Sequence, residues 1–174
     1  MNEKNELMIV VDNSNNAIGK ATMEEIRKKG LNHRSVHIFI FNKDNELLIC
    51  KRPHFKKAYP NMYTSSAGGK VNFGETFEES ANRELKEELG IVTELSKVGS
   101  YVIENELKNN KVFHELFYGM SEGPFNLDPN EIVQCEFVKL DEISKRIKKD
   151  NNNFVRPFID AFKLYLKIND TKKS

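Results

Sequence analysis

Alternation and periodicity along the chain mark out strands and helices. Leu7 to Val11 is an apolar run, Asp12-Asn13-Ser14-Asn15-Asn16 has turn composition, and apolar residues resume at Ala17-Ile18, which predicts an N-terminal β-hairpin. Thr22 to Lys29 carries helix formers and stops at Gly30. Val36 to Phe41 is rich in β-branched and aromatic residues; it turns at Asn42-Lys43-Asp44-Asn45 and continues as Leu47 to Cys50. This is the strongest hairpin signal in the chain. Pro53 to Ser66 shows no period and reads as a long loop. Phe77, Ala81, Leu85 and Leu89, spaced by four, form the apolar stripe of a helix over Thr76 to Leu89, with Gly90 placed to end it. Ile91 to Ile103, Lys111 to Met120 and Ile132 to Leu140 read as strands, and Glu122 to Glu131 as a loop. Asp141 to Lys148 reads as a helix capped by Asp141, and Phe154 to Ile168 as a closing helix that tolerates Pro157 in its first turn. Strands on either side of one central helix, with more helices at the end, predict an α+β domain.

Composition narrows the class. A chain of 174 residues, 39% hydrophobic, suits one globular domain. Its 27 basic and 26 acidic residues leave a formal charge of +1, which argues against a nucleic-acid binder. Arg27-Lys28-Lys29 and Lys172-Lys173 are short enough to read as solvated helix and tail. No apolar run reaches the ~18 residues of a membrane span, and the opening residues lack signal-peptide form. Cys50 and Cys135 lie in apolar runs without a Cys-x-x-Cys partner, so reduced core thiols are expected. The expected location is the cytoplasm.

The central helix carries the chemistry. At ~100° per residue, Glu84, Glu87 and Glu88 share an arc that flanks the apolar stripe, while Glu79 and Lys86 point to solvent. Ser80, one turn before Glu84, leaves room on that arc. Like charges at such spacing cost a helix about 0.2–0.5 kcal/mol per pair, and a hard divalent cation removes that penalty. Taken alone, three glutamates read more readily as a solvated acidic face.

The full segment decides between these readings. Gly69, Glu75, Arg83, Glu84, Leu85, Glu87, Glu88, Gly90 and Ile91 fill the pattern of glycine, five residues, glutamate, seven residues, then Arg-Glu-apolar-any-Glu-Glu-any-Gly-apolar. This segment resembles the Nudix box at every defined position. The resemblance implies a Nudix-type α/β/α sandwich with a mixed central sheet and a catalytic loop-helix-loop, extended by the N-terminal hairpin. It implies one domain over 1–174, with hairpin and short helix at 1–30, core at 31–145, and closing helix and tail at 146–174. It also implies metal-facing carboxylates at Glu84, Glu87 and Glu88, a further metal ligand in the Gly68 carbonyl, and Arg83 paired with Glu75 to orient the helix. The implied cofactor is Mg²⁺, with Mn²⁺ as the alternative.

Outside the box, Leu7 to Asp12, Ile18-Gly19-Lys20, His33-Arg34, Leu47 to Arg52, Gly123-Pro124-Phe125 and Leu140 to Ile143 look like the isopentenyl-diphosphate-isomerase-like branch. True isomerases carry a cysteine and a histidine in the loop before the box; here Tyr63 to Gly69 has neither. Two glutamates of a later isomerase strand also lack counterparts, since only Glu115 is acidic there and it is out of register. The implied activity is therefore pyrophosphohydrolysis of a nucleoside-diphosphate-linked or related organic diphosphate by metal-activated water. A ligand-sensing, non-catalytic Nudix module and an isomerase are the alternatives. Lys51, Arg52 and Lys70 are the candidate phosphate-binding cations, and Glu84, Glu131 and Glu136 the candidate bases. His33 is expected to be structural or to contact phosphate. Specificity is expected from Pro53 to Ser66, where Phe55, Tyr59 and Tyr63 could stack on a base or pack on the core, and from Leu107 to Asn110. The expected partner is a small-molecule diphosphate, with the protein a monomer or homodimer.

Overall fold

A computed structural model describes residues 6–105 and 110–172. Among these, nine strands form one sheet and four α-helices pack around it. β1 (Met8–Val11) and β2 (Ala17–Ala21) pair as the N-terminal hairpin. α1 (Met23–Lys29) follows, capped by Thr22 and closed by left-handed Gly30. β3 (His33–Phe41) is the spine of the sheet. One of its edges runs parallel to β8 (Asn110–Met120), which pairs in turn with β7 (Ser96–Asn105). Its other edge meets β1, β6 (Ala67–Lys70) and β4 (Leu47–Lys51) in succession, all antiparallel. β4 also pairs with β5 (Tyr63–Thr64) and β9 (Gln134–Val138). The sheet is thus mixed, and the fold is an α+β sandwich.

Side-chain alternation divides the core between two faces. Val36, Ile38 and Ile40 of β3 and Leu48 and Cys50 of β4 pack against Ala81, Leu85 and Leu89 of α2 (Phe77–Leu89). Phe39, Phe41, Leu47 and Ile49 point the other way, onto Phe158, Ala161 and Phe162 of α4 (Arg156–Lys172). The predicted stripe of α2 is therefore its buried face, and truncating Leu85 or Leu89 to alanine would cost about 2–5 kcal/mol. No helix among the described residues is long and apolar enough to cross a membrane.

Several expectations need correction. Cys50 and Cys135 are joined as a disulfide, because β4 and β9 set them directly opposite each other across 85 residues of sequence. Spacing alone did not reveal that register, and the argument from reduced thiols to a reducing compartment falls away. The glycine-rich stretch before α2 is strand β6 rather than loop. A Cβ on Gly68 would meet the Val36 carbonyl, so only glycine fits there, and one on Gly69 would push the Glu84 carboxylate out of place. The long loop from Pro53 contains β5 near its end. Ile91 and Leu95 pack on the α2-side core, but no ladder forms before Ser96. α3 (Leu140–Lys149) begins earlier than expected, with Lys139 at its N-cap and no side-chain cap; Asp141 lies within its first turn. Residues 107–109 of the expected second specificity loop, with Met1 to Asn5 and Lys173, lie outside the described residues.

Candidate active site

Local chemistry fixes α2 at both ends. Thr76 Oγ1 accepts from the Glu79 N–H at 3.1 Å, and the Glu79 carboxylate accepts from the Thr76 N–H at 2.8 Å. This capping box stabilises the helix start by about 1 kcal/mol. The Thr-x-x-Glu spacing made it legible in the sequence, where Glu79 was read only as a solvent-facing charge. Gly90 ends the helix with φ 69°, and a side chain there would run into Asn126. The Asn126 and Asp128 N–H groups donate to the Leu89 and Glu88 carbonyls, pinning the following loop to the last helical turn.

Arg83 is the hub of the acidic face. Its Nε and Nη2 grip Glu75 in a two-pronged pair at 2.7 and 3.0 Å. Its Nη1 donates to Glu84 at 2.9 Å and to Glu87 at 3.1 Å, and Nη2 also reaches the Lys70 carbonyl and Ser80 Oγ. Ser80 is therefore a buried relay rather than a space-saver, its hydroxyl donating to the Lys70 carbonyl at 3.2 Å. Burial pushes Glu75 up, but Arg83 and the Asn72 N–H outweigh it and hold the carboxyl below its ordinary value. Burial also opposes the charge on Arg83, yet Glu75 and Glu84 hold the guanidinium firmly protonated.

The three glutamates differ in depth. Glu87 is exposed, Glu84 is largely covered, and Glu88 is buried at 8%. Burial drives Glu84 up to about 7; Arg83 counters this, while Glu87 and Glu131 add repulsion. Glu88 is raised well above the carboxylate range by burial, Glu84 and Glu131, against the Gly68 N–H and Arg52. The Gly68 N–H donates to Glu88 at 3.1 Å, so the strand before the box touches the deepest carboxylate. Glu131 joins the same field and is held by Lys56 Nζ at 2.5 Å. Lys56 went unread because its loop has no period to place it.

The remaining candidates divide. Arg52 lies within the field of Glu88 and Lys70, and its Nε donates to the Ala58 carbonyl at 3.2 Å. Lys70, expected at the phosphate, pairs with Ser35 and so turns to the face of His33 and His37; burial, with Arg27 and Arg52 against Glu84, brings it down to about 8. Lys51 is not brought to this cluster: strand alternation turns it to the opposite face, with its ammonium 5.6 Å from the Tyr63 ring centroid. Glu136 likewise faces away and pairs with Arg146 at 2.8 Å. Phe55 and Tyr59 are exposed, whereas Tyr63 packs against Phe154. Glu115 is bound to Lys97.

His33 belongs to a different environment. With His37 and His114 it is buried on the α4 face of β3 and β8. His114 stacks on Tyr101 at 4.7 Å and lies 5.3 Å from His37, which bonds Ser65 Oγ at 2.7 Å. Burial, with Lys70 nearby, drives His33 and His37 down to about 3 and His114 lower still. These imidazoles are neutral.

Against known families, the NUDIX domain model matches residues 31–162. The chain belongs to the Nudix family. It is 32% identical to a Nudix hydrolase of Escherichia coli named YfcD, over 92% of this chain and 86% of that protein. It is 34% identical to isopentenyl-diphosphate delta-isomerase 2 of Photorhabdus laumondii, over 80% of this chain and 74% of that protein. A crystal structure of a Deinococcus radiodurans protein shares the fold, with TM-score 0.77 and 22% identity, covering 92% of this chain and all but 1% of its own. Family membership makes the chain a hydrolase of pyrophosphate-containing substrates.

Proposed function

We propose that this Nudix protein hydrolyses the diphosphate linkage of a small organic diphosphate, nucleoside-linked or related, with Mg²⁺ held at Glu84, Glu87, Glu88 and the Gly68 carbonyl. The observation that carries the reading is a shortage of positive charge. Glu84 and Glu88 are covered, repel each other, and share an acidic face with Glu87 and Glu131. Among the described residues, no cluster of carboxylate, histidine or cysteine side chains forms a ready metal cage. An open array of carboxylate oxygens fits a hard cation that keeps several waters and takes its remaining ligands from phosphate. Such a cation, when bound, lowers the pKa of water and neutralises charge on phosphoryl oxygens.

The protein's own groups supply the rest. Arg83 and Glu75 fix the rotation of the acidic face towards the substrate. Arg52 and Lys56 provide cations for charge building on the leaving phosphate. Glu131 is the favoured base: it lies in the field of Glu84 and Glu88, whereas Glu136 sits on the far face bound to Arg146. Lys56 holds the Glu131 carboxylate in place.

Isomerisation is disfavoured, although a relative carries that name. Ser65, Ser66 and Ala67 precede the box with no thiol or imidazole, and Cys50 is tied to Cys135. The test is product analysis over nucleotide sugars, dinucleoside polyphosphates, coenzyme A and isopentenyl diphosphate, each with Mg²⁺ and with chelator. Mg²⁺-dependent cleavage of one class is expected. Tight binding without turnover would favour a sensor, and an isomerised product would overturn the hydrolase assignment.

A further inference from the structure

The geometry points to the N-terminal hairpin as a clamp that positions the catalytic loop, with Arg34 and Asn15 as its side-chain joint; this rests on the hydrolase reading above. The Nudix match begins at residue 31, so the hairpin lies outside the matched span. Yet β1 treats the segment between β6 and α2 as a neighbouring strand. The Ile9 N–H donates to the Val71 carbonyl at 3.1 Å, Met8 bridges Asn72, and the Phe73 N–H donates to the Leu7 carbonyl at 2.7 Å. Lys20 of β2 holds its ammonium 5.2 Å from the half-exposed Phe73 ring.

Arg34 closes the clamp from the other side. Its Nε and Nη2 donate to Asn15 Oδ1 and O at 2.8 and 2.6 Å, while its guanidinium lies 5.1 Å from the ring of Phe77, the first residue of α2. The hairpin turn it grips is itself rigid. Asp12 accepts from the Ser14 and Asn16 N–H groups, each at 2.8 Å, and Asn15 sits at φ 66°. The Arg34 carbonyl accepts the Val71 N–H at 3.2 Å.

From the clamped segment a continuous path leads to the acidic face. The Asn72 N–H donates to Glu75 at 3.0 Å, Glu75 holds Arg83, and Arg83 contacts Glu84 and Glu87. A small displacement of residues 71–73 therefore rotates the carboxylates through hydrogen bonds at every step. Arg34 and Asn15 touch no reacting group; they are positioning residues.

The test compares Arg34→Ala, Arg34→Lys, Asn15→Gly and the double variant Arg34→Ala/Asn15→Gly with the whole wild-type chain. Asn15→Gly keeps the left-handed turn and removes only the side-chain acceptor, so it remains informative if Arg34→Ala folds poorly. On a substrate identified by the panel, Arg34→Ala should lower kcat about tenfold with KM within about twofold, since small misplacements of catalytic groups cost rate. Arg34→Lys should recover part of the loss. Asn15→Gly should add little to Arg34→Ala, because both break one joint. Amide hydrogen exchange at residues 71–75 should quicken in each variant. The clamp is overturned by unchanged kcat and exchange in Arg34→Ala, by a loss confined to KM, by additive losses, or by a lowered Tm with normal kcat per folded molecule. A wild-type chain inactive on every compound would instead sink the hydrolase reading, while the exchange data would still judge the clamp.

Discussion

The two faces of the sheet bury ionisable groups in opposite ways. On the α2 face, Glu84 and Glu88 are covered close to one another, and Arg83 is shared among Glu75, Glu84 and Glu87. On the α4 face, His33, His37 and His114 are covered, the last two beside Tyr101, and driven neutral. A histidine shed of its proton needs no counter-ion and can serve as packing. A carboxylate cannot adopt that role cheaply at neutral pH, so a crowded carboxylate face keeps a standing demand for a cation. The first arrangement is a site; the second is core with hydrogen bonds.

The sharpest way to break this contrast is at Glu87, the glutamate least involved in packing. Glu87→Gln should lower Mg²⁺-dependent turnover by about 100-fold or more with little change in Tm, as losing one electrostatic element of an active site does. Steady-state kinetics beside thermal melts would check it, and unchanged turnover would remove Glu87 from the site. Next comes orientation. Arg83→Ala should cost about 10- to 100-fold in kcat, the range seen when the support of a ligand is lost, and a change in KM alone would contradict the positioning role.

A pH experiment on metal-free protein sharpens the electrostatics. Glu84 rises in the folded state from 4.5 to about 7. The folded protein then binds a proton more tightly than the unfolded chain, so stability is highest in mild acid and falls as pH climbs through that window. Melting of chelated protein should show Tm dropping over that range, and Mg²⁺ should restore it above about pH 7. A Tm that rises with pH would reverse the sign of the account. The smallest expected effect is at Lys51: because it faces Tyr63, Lys51→Ala should leave kcat/KM within about twofold, and a larger loss would return it to the phosphate site.

Legibility in the sequence followed the range of the interaction. The bounds, apolar stripe and C-terminal glycine of α2 could be read because they are local and its box is dense, whereas the Thr76–Glu79 capping box was passed over. The hairpin β3–β4 was equally local. What escaped depended on register between distant segments: the Cys50–Cys135 pair, β6 lying under α2, and Lys56 reaching Glu131. Lys51 and Arg52 show the limit most clearly, since the last residue of β4 and the one after it point to opposite faces and only the fold says which face carries the carboxylates.

The most direct test of the central claim titrates Mg²⁺ into the wild type, Glu88→Gln and His114→Phe while following turnover of one identified diphosphate. Glu88→Gln should lose about 100-fold or more at every Mg²⁺ concentration. His114→Phe, which replaces a ring whose Nδ1 has no hydrogen-bond partner among the described residues, should stay within about threefold and shift only stability. An active Glu88→Gln beside an inactive His114→Phe would mean that the chemistry lies on the other face of the sheet.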